Sequence, residues 1–244
     1  MQKLILKTLG IIPARYDSLR FPGKPLAIIA GKTMIQRVYE QAIQAKLLDK
    51  VIIATDNIQI FEHVNSFGGN VLMTNAAHEN GTSRCAEVVE NYEHEQFEYV
   101  INIQGDEPFI QPAQIDELVT FISNGEADIV TQVKIETDIA LLNNPSIVKA
   151  ILTEDFFCTD FLRILPNPKS IIQNFHKHIG LYGFTSSALK RIVKLAVSKN
   201  EQERKLEQMR WLDNGVSIKA GATNYESISI DTEEDLQKAI ELFC

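Results

Sequence analysis

Apolar positions along the chain follow two rhythms. Short runs rich in Ile, Val, Leu and Tyr fall at 8–14, 50–55, 70–74, 99–104, 127–135, 148–153 and 178–184, and these predict strands. Between the early runs the apolar spacing changes to that of a helix. In 34–45, Ile35, Val38, Tyr39, Ala42 and Ile43 share one face. The segment 58–69 ends in Gly68-Gly69, which suits a helix C-terminus, and 82–92 can start from a Thr82 cap. Two further helices, 201–214 and 232–243, close the chain. Strands alternating with helices predict an α/β fold, a mainly parallel Rossmann-like sheet with helices on both faces.

Beyond Glu154 the pattern loosens. Aromatics mix with Pro166 and Pro168, and the region of about 154–185 reads as an excursion from the sheet or a partner-contacting arm. There is no internal repeat or low-complexity tract, so residues 1–244 are read as one domain.

At 244 residues with 45% apolar content, the chain can bury a proper core. Its net charge of −8 argues against broad nucleic-acid binding, so any phosphate site must be local. Cys85, Cys158 and Cys244 lie far apart without zinc-like spacing, and they read as reduced thiols. The N-terminal apolar stretch is interrupted by Lys3 and Lys7, and no run approaches the ~20 apolar residues of a membrane span. The expectation is a soluble, cytoplasmic protein without membrane insertion.

Candidate chemistry gathers where strands end. The first strand empties into a loop carrying Arg15, Arg20 and Lys24, and open α/β sheets hold ligands at that edge. Most surface cations are merely solvated, but Pro13, Pro22, Gly23 and Pro25 make this loop stiff, and a triphosphate is its natural guest. Gly31-Lys32-Thr33 has the ending of a Walker A loop, yet Leu26 stands where that motif needs glycine, and GxGxxG is absent.

The run 101–110 passes through Gln104, Gly105, Asp106 and Glu107. A strand-end carboxylate can hold Mg²⁺ against phosphate oxygens, although Gly-Asp is also ordinary turn chemistry. The segment 227–231 repeats the logic, as an alternating strand ending at Asp231 before a helix that Thr232 and Asp235 can cap. Two such aspartates can converge on one cation. In 73–84, His78, Gly81, Thr82 and Arg84 form a polar loop opening into a helix N-terminus, which favours anions or a base edge. His178, Glu207 and Gln208 sit in apolar surroundings and by themselves read as satisfied polar groups at element margins.

The ordered blocks "IPARYDSLRFPGKPL", "IATD", "NGTSR", "INIQGDEPFI", "NPSIVKA", "KHIGLYGF", "LEQMRWLDNG" and "IDTEEDL" span nearly the whole chain. In this order they resemble the CMP-Kdo synthetase (3-deoxy-manno-octulosonate cytidylyltransferase) family. The resemblance implies a GT-A-like nucleotidyltransferase fold and a homodimer in lipopolysaccharide biosynthesis, with CTP and a 3-deoxy-ulosonic acid as small-molecule substrates and Mg²⁺ as cofactor. It implies catalytic roles for Arg15, Lys24 and Asp106. Pro13, Ala14, Arg15, Lys24, Met73, Thr74, His78, Gly81, Thr82 and Gln104 would contact the nucleotide. Arg20, Gln104, His178, Glu207 and Gln208 would contact the sugar, and Asp106 and Asp231 would hold the metal.

Three departures stand out. Asn80 precedes Gly81-Thr82 where the family has serine. "DFFCTDFLRILP" shows no Ser-Arg pair, and "SISIDTEEDL" lacks the family's glycines and proline. They leave the 8-amino analogue of Kdo as an alternative sugar and a non-catalytic nucleotide-binding relative as an alternative class. The retained Asp106, Asp231, Arg15 and Lys24 speak against the latter.

Overall fold

The structure, a computed structural model, describes residues 6–17, 20–165, 174–226 and 228–243. Each of the seven apolar runs forms a strand. The first, β1 (Lys7–Ala14), is buried on both sides, with Leu9 and Ile11 facing one core and Ile12 and Ala14 the other. A strand with helices over both faces must be apolar throughout, which is why its pattern is continuous rather than alternating. A small hairpin, β2 (Ile28–Ile29) and β3 (Lys32–Thr33), leads to α1 (Met34–Ala42), where Thr33 caps by accepting from Gln36 N at 3.3 Å. Then come β4 (Lys50–Thr55), α2 (Ile58–Ser66), β5 (Val71–Met73), α3 (Gly81–Asn91), β6 (Phe97–Asn102) and α4 (Pro112–Ser123). The second half holds β7 (Ile129–Glu136), β8 (Lys149–Leu152), β9 (Cys158–Leu162), β10 (Phe175–Thr185), α5 (Ser186–Ile192), α6 (Lys199–Arg204), α7 (Gln208–Asp213), β11 (Lys219–Ala222) and α8 (Glu233–Phe243).

The main sheet runs β11-β7-β10-β6-β1-β4-β5. All neighbours on this path are parallel except β10, which is antiparallel to both β6 and β7. Helices α1, α2 and α4 cover one face; α3, α5 and α7 cover the other, where Trp211 meets the rings of Tyr182 and Phe184 edge-on at 5.1 and 5.6 Å. Off the path, β8 pairs antiparallel with β10 and with β9, so the region after Glu154 contributes a strand at the sheet's flank. Residues 166–173 of that region lie outside the described residues, as does Cys244.

Local expectations needed four corrections. The cap of α3 is Asn80, whose side chain accepts from Ser83 N at 2.8 Å, which frees the Thr82 hydroxyl. Residues 228–230 form no strand; Ile230 N instead donates one bond, 2.9 Å, to Asp106 O. The helix expected over 201–214 is split in two by Lys205, at φ +54°. Finally, α4 carries a signal that a strand-first reading passes over, with Pro112 in the first turn and Ile115, Leu118, Val119 and Ile122 on one face.

Packing is tightest where α4 crosses the sheet edge. A Cβ on Gly221 of β11 would lie 1.9 Å from the ring of Phe121. Gly221→Ala is expected to lower stability by about 1–3 kcal/mol through overpacking. Urea denaturation checks this, and an unchanged midpoint at unchanged slope would show that the edge yields freely.

Candidate active site

β1 delivers Pro13, Ala14 and Arg15 to the carboxyl edge of the sheet. The chain then loops back, with Gly23 N donating to Tyr16 O at 2.9 Å and Pro25 buried in the short turn that follows. Lys24 is thereby aimed at the end of the neighbouring strand, β6. Its Nζ lies 2.7 Å from Asp106 Oδ2 and 3.3 Å from Asp231 Oδ1, and Arg20 Nη2 lies 3.0 Å from the same Asp231 oxygen.

The two aspartates come from distant sequence but are tied by backbone through the Ile230–Asp106 bond. The Asp106 loop passes so close to the end of β1 that a Cβ on Gly105 would sit 2.7 Å from Pro13 O, a distance only glycine permits. Entry into α8 is managed by Asp235, which accepts from Asp231 N at 3.1 Å and Thr232 N at 3.0 Å. Burial works against that carboxylate, but the Thr232 hydroxyl and these two amides hold its pKa below the ordinary value. Asp235 does the capping, so the Asp231 carboxylate is left to face the cations.

Two cavities meet at this cluster. The smaller, about 230 Å³, is lined by Pro13, Ala14, Arg15, Lys24, Gln104 and Asp106. The larger, about 770 Å³, shares Gln104 and Asp106 and adds Arg20, His178, Gln208 and Asp231. Gln104 is fixed between them by donating to Gly180 O at 2.9 Å. Burial pushes His178 down to about 3, so its ring is neutral; Phe161 lies edge-on at 4.9 Å, and Thr131 Oγ1 is 3.1 Å from Nε2. Arg15 is depressed by burial and then by Arg84, with Asp56 and Glu207 opposing. A guanidinium so placed gains from an incoming anion.

Gly81 opens α3 against Pro13, with a Cβ position 3.3 Å from the proline ring; it lines neither cavity, nor do Met73, Thr74 and Thr82. Met73 is 41% exposed at the end of β5. Thr74 next to it is buried and donates to Thr55 O at 3.1 Å. Beneath them lies Arg84, fully buried, which pairs with Asp56 at 2.6 Å and donates to the Thr74 hydroxyl.

Two more expected site residues stand elsewhere. His78 pairs with Glu87 in a shallow depression of its own. Glu207 lies behind the large cleft rather than in it, because it precedes the first residue of α7 and successive helical side chains point about 100° apart. There it accepts from Thr82 Oγ1 at 3.0 Å, and burial pushes its carboxyl up to about 7 against the pull of Thr82, Arg210 and Arg15.

One residue that sequence reasoning missed does line the cleft. Arg163 follows β9, fixed by bonds to the carbonyls of Arg204 at 3.0 Å, Pro145 at 3.0 Å and Lys205 at 3.3 Å. Buried Lys149 in turn holds Arg163 O at 2.7 Å. The only signal was an arginine shortly before Pro166, following Leu162 rather than serine.

The chain is similar to known cytidylyltransferases over nearly its whole length. A cytidylyltransferase family model matches residues 9–218. The chain is 44% identical over 97% of its length to the 3-deoxy-manno-octulosonate cytidylyltransferase of Parabacteroides distasonis, covering 98% of that protein. The enzyme of the same name from Thermodesulfovibrio yellowstonii is 43% identical, with 95% of this chain and 96% of that protein covered. Among solved structures, a CMP:2-keto-3-deoxy-manno-octonic acid synthetase complexed with CTP superposes with a TM-score of 0.91 at 34% identity, over 97% of this chain and 98% of that one. The 4-diphosphocytidyl-2C-methyl-D-erythritol synthase of Anaerococcus prevotii, 14% identical, shares the fold with a TM-score of 0.62 over 98% of this chain and 96% of that one.

Glu207 supplies a pH test. Its raised carboxyl stabilises the fold fully below the unfolded value near 4.5, and this contribution is lost as pH rises through about 7. Glu207→Gln should therefore gain on the unsubstituted protein between pH 5 and pH 8, by up to roughly 3 kcal/mol and less where water reaches the carboxyl. Denaturant titrations at the two pH values measure it, and a constant difference between the proteins would show that the carboxyl titrates normally.

Proposed function

The chain belongs to the cytidylyltransferases and, within them, to the 3-deoxy-manno-octulosonate cytidylyltransferase family, and from that membership we propose that it transfers the cytidylyl group of CTP to a 3-deoxy-manno-octulosonate-type acid sugar, releasing pyrophosphate. The observation that carries this reading is the meeting of a small cavity lined by Arg15 and Lys24 with a larger polar cleft at Gln104 and Asp106, which line both. One suits a triphosphate and the other a sugar acid, and the wall they share is where the α-phosphorus and the attacking hydroxyl must meet.

In the reaction, the anomeric hydroxyl oxygen bonds to the α-phosphorus while the bond to pyrophosphate breaks in line. No covalent enzyme intermediate is needed, so catalysis comes from positioning and from stabilising spread negative charge. Arg15 and Lys24 meet the phosphates. Arg20 and Arg163 face the larger cleft, where they can engage the sugar carboxylate as planar, bidentate donors. Neutral His178 and the amides of Gln104 and Gln208 orient hydroxyls without adding charge. Gly81 and Thr82, with Met73 and Thr74 on the neighbouring strand end, form the base side. His78 and Glu207 have no direct contact in this scheme; Glu207 acts by holding Thr82.

Asp106 and Asp231 fit Mg²⁺ as a donor set, two hard carboxylates already facing one ammonium, with the remaining ligands left to water and phosphate. When bound, the ion withdraws charge from phosphate oxygens. Three further elements of the reading rest on the family alone: a homodimer, action in the cytoplasm, and a place in lipopolysaccharide biosynthesis. Residues 1–244 are read as one nucleotidyltransferase domain.

A pyrophosphate-release screen of the four nucleoside triphosphates against Kdo, 8-amino-Kdo and sialic acid tests the assignment. Release with CTP and Kdo is expected. Preference for the 8-amino sugar would transfer the assignment to that substrate, and silence with every pair would favour a non-catalytic nucleotide binder. Lys24→Ala is expected to lower turnover roughly 100-fold, and unchanged steady-state kinetics would refute its part in charge stabilisation.

A further inference from the structure

The cluster at the sheet edge is electrostatically closed on itself. Lys24 Nζ contacts both carboxylates, its side chain is only 14% exposed and that of Asp106 only 24%, so solvent and salt screen this contact weakly. Arg20, 65% exposed, adds a weaker contact to Asp231. Lys24 also lines the small cavity, so its ammonium lies within reach of a triphosphate without any movement of the backbone. Lysine suits such a change of partner, being a compact charge on a flexible four-carbon stem.

Resting on the function proposed above, we propose that Lys24 is a placeholder cation: in the substrate-free protein its ammonium holds the ground between Asp106 and Asp231 that a divalent cation occupies in the working enzyme, so that metal binds tightly only after the triphosphate has drawn Lys24 onto its own oxygens. The exchange leaves neither the carboxylates nor the ammonium without an opposite charge at any stage. Without the ammonium, the two carboxylates repel and bind any divalent cation avidly. With it in place, an incoming cation must displace an existing ion pair and leave Lys24 unpartnered in a half-buried site, which costs free energy. A triphosphate removes that cost by giving the ammonium a new partner. Nucleotide and metal are thereby coupled through one side chain, and the coupling is reciprocal.

Mn²⁺ alone, with no nucleotide, is the direct probe, its binding followed by electron paramagnetic resonance. Lys24→Met and Lys24→Gln are both expected to bind Mn²⁺ at least roughly 10-fold more tightly than the unsubstituted protein, within the usual range of coupling. Arg15→Met removes a cation from the same cavity, but one whose charged neighbours are Arg84, Asp56, Glu207 and Glu79. It should change the affinity little. Asp231→Asn added to Lys24→Met should abolish the gain, and thermal melts show that each variant is folded. The proposal is overturned if the unsubstituted protein already binds Mn²⁺ as tightly as the Lys24 variants, or if Arg15→Met tightens binding as much as they do. Since no nucleotide or sugar is present, this result stands apart from the pyrophosphate screen, and either can fail without the other.

Discussion

Two carboxylates held close together in a partly buried site stay ionised together only with a cation between them, and the working edge of this protein is arranged around that constraint. Asp106 leaves the end of β6, Asp231 precedes α8, and the bond from Ile230 N to Asp106 O fixes them side by side. The counter-charge comes from a third place, the loop after β1, whose strand end lies close against Gly105 in the Asp106 loop. Three segments far apart in sequence thus depend on one ion pair at 2.7 Å. A sheet whose central strands are parallel gathers their carboxyl ends on one side, which brings the loop after β1 beside the end of β6.

Around that centre, buried charge is used for placement. Arg84, paired with Asp56, anchors Thr74, Lys149 holds the carbonyl of Arg163, and Glu207 ties the start of α3 to α7 through Thr82. Each is a polar contact whose loss would strand a desolvated partner, so these groups fix loop geometry more firmly than apolar packing alone would. The cations that meet substrate, by contrast, remain partly exposed, as Arg20 shows. The rigid groups therefore lie behind the cavities and the adaptable ones at their mouths.

Much of this was legible in the sequence because it is local. The continuous apolar burial of β1, the reciprocal cap of Thr232 and Asp235 at α8 and the aspartates at the ends of apolar runs are written within a few residues of where they act. What was not legible depends on pairing between distant segments. β9 and β11 are short and take their partners from elsewhere in the sheet, so neither has a strong period of its own. Arg163 was missed for the same reason, since its place in the cleft follows from the β8–β9 pairing and from three carbonyls of other loops. For Glu207 the residues alone read as a satisfied polar group at an element margin, which is how it stands against Thr82; its sugar-side role was implied by the resemblance. The convergence of Asp106 and Asp231 was anticipated; that a lysine would stand between them was not, since the spacing gives no sign of which cation reaches which acid.

The central claim, that one loop lysine serves the carboxylates at rest and the phosphates at work, is tested most directly by a crystal structure of the protein with CTP and Mg²⁺ bound. The account predicts that Lys24 Nζ will be found on a phosphate oxygen, with its contacts to Asp106 and Asp231 broken. A triphosphate bound in the small cavity while Lys24 keeps its 2.7 Å contact to Asp106 would contradict it.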